Sequence, residues 1–294
     1  MQRCSINFDM RILIILLFAM SYNQEFELPK IQENEQIIHH NYYTLSYNEK
    51  HEQANWVAYK LTSNQVLGIF SRTDNFRVDP KVLTGSAMLS DYKGFGYDRG
   101  HLAPAADMKI SKTSMSESFF MSNMSPQHPS FNRGIWKKLE EVVRSWAINE
   151  GTIYIATGPI LEDDLSYIGN HVSVPNYYYK VILDYSQPDI KGIGFILPNA
   201  KSNNSLINYV VSVDKVEQLT GIDFFTNLPD EIESKIESSY NISSWNFNSK
   251  ASYNSIKSKD ETIVQRCLGI KKNGLRCKRN TKSPNGNCWQ HGGN

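Results

Sequence analysis

The segment Tyr97-Asp98-Arg99-Gly100-His101-Leu102-Ala103-Pro104 places an acid, a guanidinium and an imidazole within four consecutive residues. In an extended backbone, Arg99 and His101 project from the same face, because side chains alternate along a strand. A neutral imidazole accepts a proton from water near pH 7, and a guanidinium binds phosphate oxygens through two donors. Gly100 between them would let a phosphate backbone approach closely. The pattern predicts a strand that carries phosphate chemistry.

A second segment, Asn132-Arg133-Gly134-Ile135-Trp136-Lys137-Lys138-Leu139-Glu140, begins a helical pattern that Gly151 ends. On a regular helix, Asn132 and Glu140 would lie roughly 80° apart and about 12 Å along the axis. Both residues can hold one ion only if the helix begins late or bends, or if a water joins Glu140 to the ion. An amide oxygen and an outer carboxylate suit Mg²⁺, which keeps several of its waters.

Each of these residue types also has a simpler interpretation. A single histidine is usually structural or lies on the surface, so His101 alone would not indicate catalysis. Asn132 opens the helical pattern and suits a helix cap. Glu140 could be a solvated charge beside Lys137 and Lys138. The functional interpretation therefore depends on finding these residues together in an ordered set.

Three motifs in order resemble the DNA/RNA non-specific endonuclease family, which includes mitochondrial endonuclease G and secreted bacterial nucleases. They are the Asp98–His101 run, the Asn123–Gln127 segment and the Asn132–Glu140 helix, and Gly221-Ile222-Asp223-Phe224-Phe225 resembles the closing segment of the family. The resemblance covers roughly residues 55–230. It implies an α+β fold of the ββα-metal (His-Me finger) type, with a central, mainly antiparallel sheet flanked by helices.

The resemblance also assigns roles to individual residues. It implies that His101 is the general base, that Asn132 binds Mg²⁺ directly and that Glu140 holds a water of the ion. It implies that Arg99 stabilises charge on the phosphate, and that Asn123 orients His101 or the metal waters. These roles match the chemistry that each side chain could perform on its own.

The family also uses an upstream arginine to bind substrate, and Arg77 is the first candidate and Arg72 the second. The implied activity is Mg²⁺-dependent hydrolysis of single- or double-stranded DNA and RNA to 5′-phosphorylated products, without sequence preference and with Mn²⁺ as a substitute. Two other classes stay open: an inactive nucleic-acid-binding protein on a nuclease fold, and a phosphodiesterase for smaller substrates. A homodimer also stays open.

The start of the chain resembles an export signal. Arg3 and Arg11 precede the apolar run from Ile12 to Met20, which is too short to span a bilayer but suits the core of a signal peptide at 1–21. Translation could start at Met1 or Met10. The segment predicts a secreted or periplasmic protein without stable membrane association once the leader is removed.

The composition, 40% apolar and 12% aromatic, is that of a globular protein with a substantial core. We predict a linker or arm at 22–50, the nuclease domain at 51–240 and a second linker at 241–262. Apolar periodicity predicts a hairpin with strands at 57–61 and 66–70, and a helix at 131–149. Further strands are predicted at 152–157, 177–185, 191–197 and 209–213. Ser212 or Asp214 is predicted to cap a helix that ends at Gly221.

The C-terminal segment 263–294 has a different character. Residues 250–294 carry ten Lys/Arg and two Asp/Glu, a net charge of +8, while the rest of the chain has a net charge of −7. Cys267, Cys277, Cys288 and His291 follow a C-x9-C-x10-C-x2-H spacing that resembles the WRC domain of plant regulatory proteins. Three thiols and an imidazole suit a tetrahedral Zn²⁺ site, although an exported protein could instead form one disulfide and leave one thiol free. The basic residues predict a polyanionic partner, and a solubilising terminus is the alternative.

Overall fold

The computed structural model describes residues 25–248, 265–271, 275–281 and 287–292. The chain forms two compact units, Met1–Phe247 and Asn248–Asn294. The predicted signal peptide and most of the predicted linker at 241–262 lie outside the described residues. Within the described part of the chain, no helix is both long enough and apolar enough to cross a membrane.

The first unit contains eleven strands among the described residues. In chain order they are β1 (Gln36–His39), β2 (Thr44–Asn48), β3 (Gln53–Thr62), β4 (Asp98–His101), β5 (Met124–Gln127), β6 (Thr152–Pro159), β7 (Tyr167–Ile168), β8 (Val172–Ser173), β9 (Tyr177–Asp184), β10 (Lys191–Pro198) and β11 (Val210–Val211). Seven of them form one antiparallel sheet in the order β1-β2-β3-β6-β9-β10-β11. The strands β4 and β5 form a separate two-stranded hairpin.

Helices and single helical turns connect these strands. The α-helices are α1 (Ser63–Val66), α2 (Leu89–Tyr92), α3 (Lys112–Glu117), α4 (Lys137–Glu150), α5 (Val213–Thr220) and α6 (Asp230–Ser238). Short 3₁₀ turns lie at Ala105–Asp107, Met121–Asn123, Leu206–Tyr209 and Ile242–Ser244, and a π-helical turn covers Phe131–Trp136. The architecture is therefore α+β, as predicted.

The sheet is covered on both faces, and strand β9 shows how the two cores divide. Tyr178 and Ile182 face the core that contains Leu139 and Trp146 of α4. The alternate residues of β9, including Val181, face a second core formed with α5 and α6. Each fully buried large apolar side chain contributes about 1.5–3 kcal/mol to folding. The site-bearing helix α4 is thus fixed by one core, and α5 and α6 by the other.

The prediction of a linker or arm at 22–50 is wrong. Strands β1 and β2 lie within this stretch, and Leu45 and Tyr47 of β2 are buried in the core beneath α4. Phe26 packs edge-on against Tyr154 with ring centroids 5.2 Å apart. The polar composition hid two short strands that depend on sheet pairing for their stability, β1 with β2 and β2 with β3.

The predicted hairpin partner at 66–70 is also wrong. The chain turns into α1 directly after β3, because Thr62 caps the backbone N–H of Gln65 and the Gln65 side chain accepts from the backbone of Thr62. The neighbours of β3 in the sheet are β2 and β6. The predicted linker at 241–262 begins too early, because Trp245 is buried against Trp146, with ring centroids 4.4 Å apart.

The other predicted elements are present. The strands predicted at 152–157, 177–185 and 191–197 correspond to β6, β9 and β10 within two residues. The fourth, predicted at 209–213, is reduced to the two-residue strand β11. The hydroxyl of Ser212 caps α5, which ends at Gly221 in the left-handed conformation.

Candidate active site

The hairpin β4–β5 carries the first motif. Its register pairs Asp98 with Gln127 and His101 with Met124. Gly100 is buried, and a Cβ at this position would lie 2.2 Å from the side chain of Gln127. Glycine is required here for packing within the hairpin, so the expectation that it admits a phosphate backbone is wrong. The imidazole of His101 lies at the end of the strand, where the hairpin meets the loops that precede and follow it.

His101 is enclosed by aromatic rings and is 8% exposed. Its ring lies edge-on to Phe119 at 5.0 Å and to Phe76 at 5.8 Å between centroids. Its Nε2 is buried and has no hydrogen-bond partner among the described residues. Nδ1 is therefore the ring nitrogen that can receive a proton from a water molecule.

Burial and two nearby arginines keep this imidazole neutral. The guanidinium of Arg72 lies 4.8 Å from the centroid of Phe119, and that of Arg99 lies 4.3 Å from the centroid of Phe76. Burial, reinforced by the positive charges of Arg72 and Arg99, lowers the pKa of His101 to about 3. The ring is therefore neutral near pH 7, which is the form that accepts a proton.

Arg77 occupies a different environment. Its Nη1 donates to the backbone carbonyls of Asn75 at 3.1 Å and Ser116 at 2.8 Å, and its guanidinium stacks on Phe120 at 3.9 Å. These contacts commit Arg77 to holding its loop. Arg72 lies against Phe119 beside the His101 pocket, and its Nε donates to Asp74 Oδ1 at 2.6 Å. Which of the two arginines binds substrate stays a prediction.

Asp98 joins the hairpin to the second motif. Its Oδ2 accepts from Asn132 Nδ2 at 2.9 Å, and its carboxylate also accepts two hydrogen bonds from Arg133 at 2.8 and 2.5 Å. These contacts commit the amide nitrogen of Asn132 and leave its Oδ1 as the atom that can bind a cation. The backbone also bends here, because Gly134, inside the π-helical turn that precedes α4, has non-helical angles (φ −106°, ψ −111°). The regular-helix geometry that would separate Asn132 from Glu140 therefore does not apply.

Glu140 lies part-buried on α4 within a group of charges. Burial raises the pKa of its carboxyl to about 7, with a further increase from Asp107, while Arg144 and Lys180 oppose the shift. Asp107 accepts from Arg144 Nη1 at 2.8 Å and from the hydroxyl of Tyr59 at 2.9 Å. A carboxyl that ionises reluctantly in the free protein gains from a cation placed beside it.

Asn123 is fully buried and does not contact the His101 ring. Its amide donates to the carbonyls of Ala103 and Ser118 at 2.9 and 2.8 Å, and its Oδ1 accepts from the backbone of Ala103 at 2.9 Å. Its own carbonyl accepts from Leu102 at 3.0 Å. The side chain therefore fixes the backbone that follows His101 and positions this residue through its neighbours.

Comparison with known proteins shows the family to which the chain belongs. The family model described as DNA/RNA non-specific endonuclease matches residues 24–231. The chain belongs to the DNA/RNA non-specific endonuclease family. A nuclease of Nostoc sp. is 36% identical over 221 residues, covering 71% of this chain and 80% of that protein. Human mitochondrial endonuclease G is 33% identical over 202 residues, covering 63% and 68%.

A solved structure of the EndoG/EndoGI complex, described as showing the mechanism of EndoG inhibition, matches with a TM-score of 0.64. The sequence identity is 29%, and the match covers 70% of this chain and 91% of that chain. The fold is accordingly the ββα-metal fold of the endonuclease family, and the protein is a metal-dependent hydrolase of nucleic acids.

Sequence reasoning missed several residues of this endonuclease site. Phe76 and Phe119, which enclose His101, gave no signal because each lies in a loop or at a helix end. Arg144 follows Glu140 by four residues and so shares its helix face, a spacing that was visible in the sequence. Its partner Asp107 was not visible, since the two meet only through the tertiary fold.

Lys180 was also missed. It is fully enclosed in the core beneath α4, and its Nζ has no hydrogen-bond partner among the described residues. The ammonium lies 4.9 Å from the centroid of the Trp136 ring. Burial lowers its pKa to about 8, while Glu140 and Asp107 oppose the shift. A lysine inside an apolar strand was the signal that could have identified it.

The second unit brings together the four predicted zinc ligands. Its strands β12 (Gln265–Arg266) and β13 (Asn280–Thr281) pair, and a 3₁₀ turn covers Trp289–His291. One potential ligand atom from each of Cys267, Cys277, Cys288 and His291 lies within 4.8 Å of the others. The Nδ1 of His291 is 3.5 Å from the Cys267 sulfur and 3.3 Å from the Cys288 sulfur. All three thiols are free.

The tail cluster has the features of a thiolate site. The backbone N–H groups of Gly269 and Cys288 donate to the sulfur of Cys267 at 3.3 and 3.1 Å. A Cβ on Gly269 would lie 2.3 Å from the imidazole of His291, so the close approach requires glycine. No disulfide forms among the three cysteines, which leaves every sulfur available to a metal.

Proposed function

We propose that this endonuclease hydrolyses phosphodiester bonds with Mg²⁺ and with His101 as the general base. The observation that carries the proposal is the His101 pocket, where aromatic rings and two guanidinium groups keep the imidazole neutral and leave Nδ1 as its open nitrogen. In this state the ring takes a proton from the attacking water. General-base catalysis of this kind contributes roughly 10²- to 10⁴-fold to the rate.

The residues around His101 bind and orient the substrate. Arg99 and Arg72 contact the non-bridging oxygens of the phosphate. Asn132 Oδ1, oriented by Asp98, binds the cation, and Glu140 holds one of its waters. The donor set fits Mg²⁺ because it offers only oxygen ligands and leaves room for the waters that this ion retains. When bound, Mg²⁺ supplies positive charge against the phosphate as negative charge develops there.

The substrates are DNA and RNA, in single- or double-stranded form, and the products carry 5′-phosphates. The residues of the proposed site are suited to contact phosphate, water and metal, and such contacts carry no base information. They also require no 2′-hydroxyl. Mn²⁺ substitutes for Mg²⁺, because it takes the same oxygen ligands.

Digestion of plasmid DNA and of RNA by the purified protein tests the proposal. With Mg²⁺ we expect cleavage of both, and with EDTA none, with activity restored by Mg²⁺ or Mn²⁺ but not by Zn²⁺. The Zn²⁺ arm is needed because chelation would also strip a zinc ion from the tail. His101→Ala should reduce cleavage about 10²- to 10⁴-fold. His39→Ala, which removes an exposed histidine, is the matched control and should cut normally.

Each alternative gives a distinct result. A protein that binds DNA but cuts neither polymer with abundant Mg²⁺ would be an inactive nuclease fold. Preferential hydrolysis of dinucleotides over polymers would indicate a phosphodiesterase for small substrates. Product ends that accept a ligase directly, without a kinase, would support 5′-phosphates, and ends that need the kinase would contradict them.

The two upstream arginines can be separated in the same assay. Arg72→Ala should lower kcat/KM about 10- to 100-fold, as expected for the loss of a charged hydrogen bond to phosphate. Arg77→Ala should lower the thermal stability of the protein more than catalysis, because its Nη1 holds the backbone carbonyls of Asn75 and Ser116. A larger loss of kcat/KM in Arg77→Ala than in Arg72→Ala would support Arg77 as the arginine that binds substrate.

The proposal includes export and a zinc site. A secreted or periplasmic location predicts activity in the culture medium or periplasm and a mature N-terminus near residue 22, which N-terminal sequencing can establish.

Zn²⁺ held by the three cysteines and His291 predicts one zinc per chain by elemental analysis. Cobalt substitution should give intense thiolate-to-metal absorption, which Cys277→Ser should weaken. A Cys–Cys disulfide in the mature protein would contradict the zinc site.

A further inference from the structure

The zinc-ligand cluster organises a second surface that the hydrolytic chemistry does not use. Trp289 lies between Cys288 and His291 in chain order and is 73% exposed. The guanidinium of Arg279 lies 5.3 Å from the centroid of its ring. With Lys271 and Lys278, these residues line an open groove of about 610 Å³. An exposed tryptophan beside cations suits a binding surface, because its flat apolar face remains open to water while the cations can attract an anionic ligand.

The charge of this surface indicates its partner. The described residues of the tail include five Lys/Arg and no Asp or Glu. Two of the five act as internal braces, since Arg266 Nε donates to the Cys277 carbonyl and Arg276 Nε donates to the Cys267 carbonyl, both at 3.0 Å. The other three, Lys271, Lys278 and Arg279, are exposed around the groove. The groove therefore offers three cations to a polyanion.

We propose that this groove binds single-stranded nucleic acid, with Trp289 stacking on a base and Lys271, Lys278 and Arg279 contacting phosphates. Positive grooves with aromatic platforms are the common solution for single strands, because every base has a flat face and every nucleotide has a phosphate. A duplex hides the base faces within its stack, so Trp289 discriminates in favour of single strands. The inference rests on the proposed function, since it gives the nuclease a second contact with its own substrate.

The consequence for the enzyme is tethering. A tail that holds one part of a strand raises the effective concentration of the remaining strand at the active site. Long single strands should therefore gain more from the tail than oligonucleotides too short to reach both sites. The contribution should fall as salt rises, because phosphate contacts release counterions.

The tryptophan fluorescence of the full-length protein offers a direct test. The chain has five tryptophans, and the other four, Trp56, Trp136, Trp146 and Trp245, are buried. In the His101→Ala background, acrylamide quenching should therefore report mainly on Trp289. Addition of a twelve-nucleotide oligo(dT) should protect it, and a hairpin duplex of equal charge should protect it much less. Unchanged quenching with saturating oligo(dT) would overturn the proposal.

Variants then measure the contribution of the groove. Trp289→Ala should weaken oligo(dT) binding, measured by anisotropy, about 5- to 50-fold, and Trp289→Tyr should restore most of it. Lys278→Gln combined with Arg279→Gln should reduce the salt dependence of binding. The matched controls are Leu268→Ala, an exposed apolar residue of the same tail, and Lys201→Gln, an exposed lysine of the first unit. Zinc content measured for each variant identifies any loss that comes from unfolding of the tail.

The possible outcomes separate this inference from the proposed function. Normal cleavage of short substrates with unchanged oligo(dT) affinity in Trp289→Ala would contradict the tail proposal and would not affect the nuclease proposal. Protection of Trp289 by oligo(dT) in a wild-type protein that cuts nothing would support the tail proposal and contradict the nuclease proposal. Protection by anionic phospholipid vesicles, with none by oligo(dT), would show that the groove recognises a membrane surface and would contradict the inference.

Discussion

Glu140 and Glu237 lie on helices that pack against opposite faces of the same sheet, and burial raises the pKa of both. The pKa of Glu140 rises to about 7, with Arg144 and Lys180 opposing the shift. Glu237 is 6% exposed, and its pKa rises to about 9. The groups that add to its shift are all carboxylates: Glu217, Glu233, Asp214 and Asp223.

The difference shows that burial alone does not mark a functional acid. The pKa of the carboxyl on α4 is held down by two countercharges, Arg144 and Lys180. The pKa of the carboxyl on the other face is raised further by four like charges, and one of its oxygens has no hydrogen-bond partner among the described residues. The first arrangement keeps an ionised carboxylate available for chemistry, whereas the second favours the protonated form and weakens the fold when it ionises.

The largest effect should follow from breaking the charge balance around Glu140. Asp107→Ala leaves Arg144 buried without its hydrogen-bonded partner, and we expect the free energy of unfolding to fall by about 3–5 kcal/mol. Urea denaturation measures this change. Asp163→Ala, which removes an exposed ion pair with Lys50, is the matched control and should leave stability nearly unchanged. Equal losses of stability in the two variants would show that the buried Asp107–Arg144 pair contributes no more than an exposed ion pair.

A smaller effect should follow from removing the charge of Glu140 itself. Glu140→Gln should lower kcat/KM about 10- to 100-fold and raise the Mg²⁺ concentration needed for half-maximal activity. Glu141→Gln alters the exposed neighbour and should leave both quantities unchanged. Full activity in Glu140→Gln would remove this residue from the site.

The smallest effect, with the opposite sign, is expected at Glu237. In the unfolded chain this carboxyl ionises near pH 4.5, whereas in the folded protein it ionises near pH 9. Because the folded pKa is the higher one, ionisation opposes folding, and stability is lost progressively as the pH rises from about 4.5 to 9. Glu237→Gln should therefore stabilise the protein by about 1–2 kcal/mol at pH 8 and have no effect at pH 4.

Thermal melts at the two pH values provide the measurement for Glu237. Glu231→Gln, on the exposed side of the same helix, is the control and should show no comparable pH dependence. A stabilisation of the same size at pH 4 and pH 8 would mean that the amide packs better than the acid, and that repulsion among the carboxylates is not the cause. If Glu237→Gln instead destabilised the protein at pH 8, the claim that ionised Glu237 weakens the fold would be contradicted.

The sequence predicted the elements whose signals are local. Ser212 and Gly221 marked the ends of α5 because capping depends on neighbouring residues alone. Strands β1 and β2 were missed because their short, polar sequences acquire strand structure by pairing, β1 with β2 and β2 with β3. Which of Arg72 and Arg77 lies beside the His101 pocket depends on how their loop folds, and linear spacing does not specify that.

The sequence by itself determined the order of the motifs, the identity of the base and metal ligands to be tested, and the C-x9-C-x10-C-x2-H set of the tail. These are properties of residue type and spacing, which the chain carries before it folds. Only the tertiary structure decided that Asp98 orients Asn132, that Gly134 breaks the helix, and that Asp107 meets Arg144. Such contacts join residues distant along the chain, and their energies depend on burial and on charges that no local pattern specifies.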